Sequence, residues 1–147
     1  MLLLIVCLAA CSPSAVQEKT PASYQVSGMA AAVPSVTQVV GSGAGVIEES
    51  TEQTTADLQQ IVSFTYSYGQ ADDPVSCLSA YCGELAGSYG FTVQTPLDAE
   101  HPDQDTVLTF PAENGQTIVM TLRVTGTNGY QVHMQGILPA DTSASSQ

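Results

Sequence analysis

Two groups of side chains have the types and spacing to do chemistry. The first is Asp105, Arg123 and His133. A carboxylate, a guanidinium and an imidazole on neighbouring strands make a small polar recognition site, because Arg presents a planar fork of donors and His both donates and accepts. Without a ligand the same residues are a surface ion pair worth about 0–1 kcal/mol. The second group is the acidic stretch Asp98, Glu100, His101, Asp103 and Asp105. Calcium needs several oxygens converging on one point, and Asp98, Glu100, Asp103 and Asp105 are the carboxylates on offer. The stretch lacks the EF-hand spacing with its central Gly and distal Glu, and Pro102 stiffens it. A solvated loop is the simpler reading. His101 and His133 are the only histidines, so a His-rich transition-metal site has no support.

Cysteine chemistry turns on Cys77 and Cys82. A disulfide is one expectation outside a reducing compartment. On a regular helix, however, positions five apart point roughly 140° away from each other, so a bridge requires unwinding. The helical reading makes Cys82 a core residue and leaves Cys77 at the edge. Four intervening residues match neither the redox motif nor a usual zinc spacing. No serine stands in an evident relation to His133, and no paired carboxylates can be defended from spacing, so a non-catalytic domain is expected. Tyr66, Tyr68, Tyr81, Tyr89 and Tyr130 could line a groove, but tyrosines at such positions more often pack with their hydroxyls at the rim.

The elements that position these groups are marked by period and punctuation. Ile61 to Tyr68 sets Val62, Phe64, Tyr66 and Tyr68 on one parity and Ser63, Thr65 and Ser67 on the other, which predicts a half-buried strand. Asp73 then Pro74 starts a helix running to about Tyr89, with Gly90 as its stop. Its apolar face is Val75, Leu78, Tyr81, Cys82, Leu85 and Tyr89.

Two hairpins follow, turning at Glu113-Asn114-Gly115 and Thr127-Asn128-Gly129. Two-residue loops would mix the faces. Three-residue loops with left-handed glycines at Gly115 and Gly129 pair Phe110 with Ile118, Leu108 with Met120, Leu122 with Met134, and Val124 with Val132. That register aligns Asp105, Arg123 and His133 across three strands. The opposite face carries Thr109, Thr117, Thr121, Arg123, Gln131, His133 and Gln135. The expected fold is α+β: a two-layer βαβββ sandwich with one helix on a four-stranded, mainly antiparallel sheet.

The balance of 14 acidic residues against Lys19 and Arg123 gives a net charge of −12. Phosphate contacts need Lys and Arg, so nucleic acid is excluded as a partner. Anionic headgroups are repelled as well.

The N-terminus carries the most specific motif. Met1 to Ala10 (MLLLIVCLAA) is almost wholly apolar, and Leu8-Ala9-Ala10 precedes Cys11. Roughly 20 residues are needed to span a bilayer, so this stretch has the length of a signal h-region instead. These residues resemble the lipobox of bacterial lipoproteins, over residues 1–12 only. The resemblance implies a signal peptide at 1–10, lipid attached to Cys11, and a mature protein anchored to a membrane of the cell envelope outside the cytoplasm. It departs from the pattern in having no Lys or Arg before Lys19, and a start upstream of Met1 is expected for that reason.

Residues 11–45 lack any sustained period and read as a flexible tether. Within them, Gly41 to Gly45 misses both the dinucleotide and the P-loop spacing. Residues 46–138 are the expected domain, opening with a short strand near Val46-Ile47, and residues 139–147 a tail. The functional expectation is a non-catalytic domain that binds an envelope partner or ligand. A calcium-dependent module using the 98–105 loop comes second, and a hydrolase of envelope material last.

Overall fold

A computed structural model describes residues 23–57, 60–113 and 115–137. Its first elements are short: β1 (Ser23–Tyr24), β2 (Val33–Pro34), α1 (Val36–Val40) and a 3-10 turn at Ser42–Ala44. They pack. Tyr24, Val26, Met29, Val33, Val36 and Ala44 are all buried. Ser35, itself buried, caps α1 by accepting from the Gln38 N–H at 3.1 Å. The tether expected at 11–45 is therefore corrected for residues 23–45, which belong to the domain; the stretch before residue 23 and the expected tail lie outside the described residues.

Six antiparallel strands form the main sheet: β3 (Val46–Thr54), β4 (Ile61–Gly69), β5 (Thr92–Thr95), β6 (Thr106–Pro111), β7 (Thr117–Val124) and β8 (Tyr130–Ile137). Their order is β3-β4-β8-β7-β6-β5. The four strands expected from the sequence are the middle of this sheet. The additions, β5 and the extension of β3 beyond Val46-Ile47, are its edges, where strand side chains are exposed and the alternation of buried residues fades. The fold is α+β, with one face of the sheet covered and one face open.

The helix α2 (Pro74–Ser88) begins where Asp73-Pro74 places it. The Asp73 carboxylate accepts from the Ser76 N–H at 3.2 Å and from the Ser76 hydroxyl at 2.8 Å. Gly90, at φ 77°, carries the chain out, and the Phe91 N–H returns to the Leu85 carbonyl at 3.1 Å. The buried face is Pro74, Cys77, Leu78, Tyr81 and Leu85. Cys82 packs half-buried against the core, but Cys77 is fully buried rather than at the edge. The reason is the N-terminal cover: the Cys77 thiol packs at 3.4 Å from the Gly43 carbonyl, on a flank that a tether would have left bare. Both cysteines are free, and the helix runs unbroken through them, so the possible Cys77–Cys82 disulfide is not formed. Burial pushes the Cys82 thiol up to about 11 and raises Cys77, which keeps both protonated at neutral pH.

Buried tyrosines tie the layers together. Tyr24 packs against Phe64 and Tyr66, with ring centroids 5.1 and 5.2 Å apart. The Tyr81 hydroxyl donates to the Pro34 carbonyl at 2.8 Å, and the Tyr130 hydroxyl to the Ala44 carbonyl at 2.7 Å. Each bond satisfies a buried polar group and joins helix or sheet to the cover.

The Asp73 carboxyl lies below the usual carboxylate range because Ser76 donates to it from side chain and backbone. The unfolded chain therefore holds this proton more tightly than the folded one. Its stabilising contribution is complete above a pH of about 4 and is lost as pH falls through the folded value. Asp73→Ala should lower Tm at pH 7, and the gap to the parent should narrow in thermal melts taken at progressively lower pH. A gap that stays constant with pH would remove the carboxylate from the explanation.

Candidate functional site

The first hairpin has the register its apolar pairs demand. Phe110 faces Ile118 and Leu108 faces Met120, the Ala112 N–H reaches the Gln116 carbonyl at 2.9 Å, and Gly115 is left-handed at φ 81°. The second differs. Leu122 faces Val132, and Val124 faces Tyr130, two residues away from the expected pairing. Its loop spans 125–129, closed by the Thr125 N–H on the Gly129 carbonyl at 2.9 Å, and Gly129 is not left-handed. The cause is tertiary. Asn128 docks on Ala71 in both directions, donating its amide to the Ala71 carbonyl and accepting the Ala71 N–H, each at 2.9 Å.

That shift changes the open face. Arg123 keeps Asp105, at 3.9 Å with both side chains about half exposed. The residue across from Arg123 is Gln131, not His133. The guanidinium donates to the Gln131 side-chain oxygen Oε1 at 3.2 Å, and the Gln131 side-chain amide donates to the Ser67 hydroxyl at 3.3 Å. Ser67 pairs in turn with Glu49. Asp105, Arg123, Gln131 and Ser67 therefore form a polar ladder that crosses from the entrance of β6 to β4. His133 stands one row away between Thr65 and Thr121, with its Nδ1 2.7 Å from the Thr65 hydroxyl. Among the described residues no carboxylate bonds the His133 ring, so this hydroxyl–imidazole pair lacks the orienting third group of a nucleophile–base arrangement.

The open face is hydroxyl- and amide-rich. Along the His133 row lie Thr51, Thr65, His133, Thr121, Val107 and Thr95. The alternation in β4 and β7 announced the central part of this face. Gln131 as the partner of Arg123, and Ser67 as the partner of Gln131, were hidden by the register, and Glu49 by the polar character of its strand.

The 98–105 loop does not gather the four carboxylates expected to share calcium. Asp98, Glu100 and His101 come together, their possible ligand atoms within 4.8 Å of one another, and all three are exposed. Asp103 is not in this group, and Asp105 is engaged by Arg123. Asp98 is occupied with building the turn: one oxygen accepts the Glu100 N–H at 2.9 Å, and the other lies 3.0 Å from His101 Nδ1. These contacts, His101 first, hold the Asp98 carboxyl below its usual range. A nitrogen donor in the set suits calcium less than an all-oxygen shell does.

A cavity of about 500 Å³ opens at the end of the sheet beside the 125–129 loop. Glu48, Glu49, Ser67, Gln70, Thr125 and Asn128 contribute to its walls. Gln70 has φ 58°, a conformation few residues other than Gly adopt.

Cys11, the expected lipid-bearing residue, lies outside the described residues. Among the described residues no helix is long and apolar enough to cross a membrane. A scan against family models, a search of curated proteins and a search of solved structures each return no match for this chain.

Proposed function

We propose that this chain is a lipid-anchored protein of the bacterial cell envelope whose domain binds a partner protein or ligand without catalysis. The observation that carries the binding reading is the Asp105–Arg123–Gln131–Ser67 ladder on the open face. Isolated surface charges are worth little, but a planar guanidinium held at both sides is pre-organised to meet a polar partner. The face is hydroxyl-rich, which suits hydrogen-bonded recognition better than contact with acyl chains.

The anchoring reading rests on the resemblance of Leu8 to Cys11 to a lipobox. With a net charge of −12, the protein has no basic patch to hold it on anionic headgroups, so several acyl chains on one residue must do so. Ser23 is the first residue of β1, and the chain from Cys11 to Ser23 spans at most about 40 Å when fully extended. The domain then stays close to its bilayer, and its partner must reach that zone.

Cys11→Ser should abolish incorporation of labelled lipid and leave the precursor uncut on a gel. Normal processing of that variant would refute the anchoring reading.

A further inference from the structure

β3 is an edge strand, and among the described residues no strand pairs with its outer side. A nine-residue edge presents a row of backbone donors and acceptors, the feature by which extended peptides are captured as an added strand. Every residue of β3 from Glu48 to Thr54 is exposed. Its charged side chains are Glu48, Glu49 and Glu52, with no cation among them.

The cavity lies at the start of this same strand. Between Ile47 and Glu49 the β3–β4 register slips, and the Glu48 carboxylate comes to rest over Gly69, in space that any Cβ there would fill. Glu49 faces Ser67 one position on. The far wall is fixed by the two Asn128–Ala71 hydrogen bonds, which use the Asn128 side-chain N–H and backbone carbonyl but not its side-chain oxygen. Among the described residues no Lys or Arg lines the cavity. Two carboxylates, hydroxyls and amide oxygens suit a group that is cationic and rich in N–H donors.

We propose that the outer edge of β3 accepts an extended segment of a partner protein as a seventh strand, with a Lys or Arg of that segment seated in the Glu48–Glu49 cavity. The edge and the cavity are separate observations that call for one ligand. A segment residue paired with Glu49 presents its side chain on the face where Glu49 and Ser67 stand, beside the cavity mouth. A second copy of this chain would bring its own glutamates to the edge, and like charges across a strand pair are destabilising. The proposal rests on the binding reading and adds a second contact at the edge, where Glu49 pairs with Ser67 at the end of the Arg123 ladder.

The test uses the chain from Cys11 to Gln147, labelled for NMR, at near-physiological salt. The probes are a nine-residue peptide of alternating Thr and Lys and its Thr/Glu counterpart. The Lys peptide should shift the amides of 49–53, 67–70 and 125–129 and slow exchange along β3. Glu48→Gln with Glu49→Gln should weaken its binding by about tenfold or more, and the Glu peptide should change nothing. The proposal is overturned if β3 amides do not respond at millimolar Lys peptide, if shifts spread evenly over the acidic surface, or if the double variant binds undiminished. It is also overturned if sedimentation shows a dimer that protects 49–53, since a second copy then takes the edge. Should Arg123→Ala abolish binding of the Lys peptide while the glutamate variant binds normally, the edge is wrong and the ladder reading stands.

Discussion

A chain that begins at Val46 should show no cooperative unfolding transition. The segment before it reads as tether, yet its residues 23–45 pack into the core. Removing them strips Tyr24 from Phe64 and Tyr66 and takes Val26, Met29, Val33, Val36 and Ala44 out of the core. Burying a large apolar side chain contributes about 1.5–3 kcal/mol. Five such losses, leaving the small Ala44 aside, reach the scale of a small domain's whole stability, about 5–15 kcal/mol. The Tyr81 and Tyr130 hydroxyls also lose their acceptors, Pro34 and Ala44. Urea melts followed by circular dichroism would compare this chain with one beginning at Ala22. The longer chain should unfold in one sharp transition and the shorter should drift. Equal midpoints for the two would contradict the packing of residues 23–45.

The second large effect is expected at one glycine. Gly45 joins that cover to β3 at φ 79°, ψ −158°, a region essentially reserved for glycine. A Cβ there would overlap the Gly69 carbonyl oxygen and sit 2.8 Å from the Ala71 nitrogen. Both neighbours are backbone, so no side chain can swing aside. Gly45→Ala should cost about 3–5 kcal/mol, from backbone strain plus overpacking. Gly87 supplies the control. It lies in α2, and a Cβ there meets nothing within 4 Å, so Gly87→Ala should stabilise by about 0.5–1 kcal/mol. If both variants shift the urea midpoint alike, the close approach at Gly45 is not real.

How far the fold was legible depends on whether local pattern decided each element. β4 was legible because its buried and half-exposed residues alternate, and α2 because Asp73-Pro74 is a start signal with a physical mechanism. The first hairpin was legible because a one-residue slip would have put its apolar residues on the wrong face. For the second hairpin a two-residue slip keeps the face, and Leu122 pairs as well with Val132 as with Met134. Local pattern is blind there; the docking of Asn128 on Ala71 decides. His133 lost its place beside Arg123 for that reason, while Asp105 kept its own. Residues 23–45 were misread because elements of two to five residues are too short to show a period, although Tyr24, Val26, Val33 and Val36 are core residues. β3 was missed beyond Val46-Ile47 because an edge strand with exposed glutamates has no buried face to announce it. The acidic loop was misjudged in its membership: Asp98 bonds its own turn and His101, and chain spacing alone does not tell which carboxylates converge.

The binding reading is tested most directly by crosslinking in living cells from two positions of the full-length protein. A photo-reactive residue at Thr121 samples the open face beside the ladder, and one at Ser79 samples the exposed outer side of α2. Thr121 should yield a discrete crosslinked species that disappears with Arg123→Ala, and Ser79 should yield none. Equal products from both positions, or none from Thr121 in cells that contain the protein, would contradict recognition through the open face.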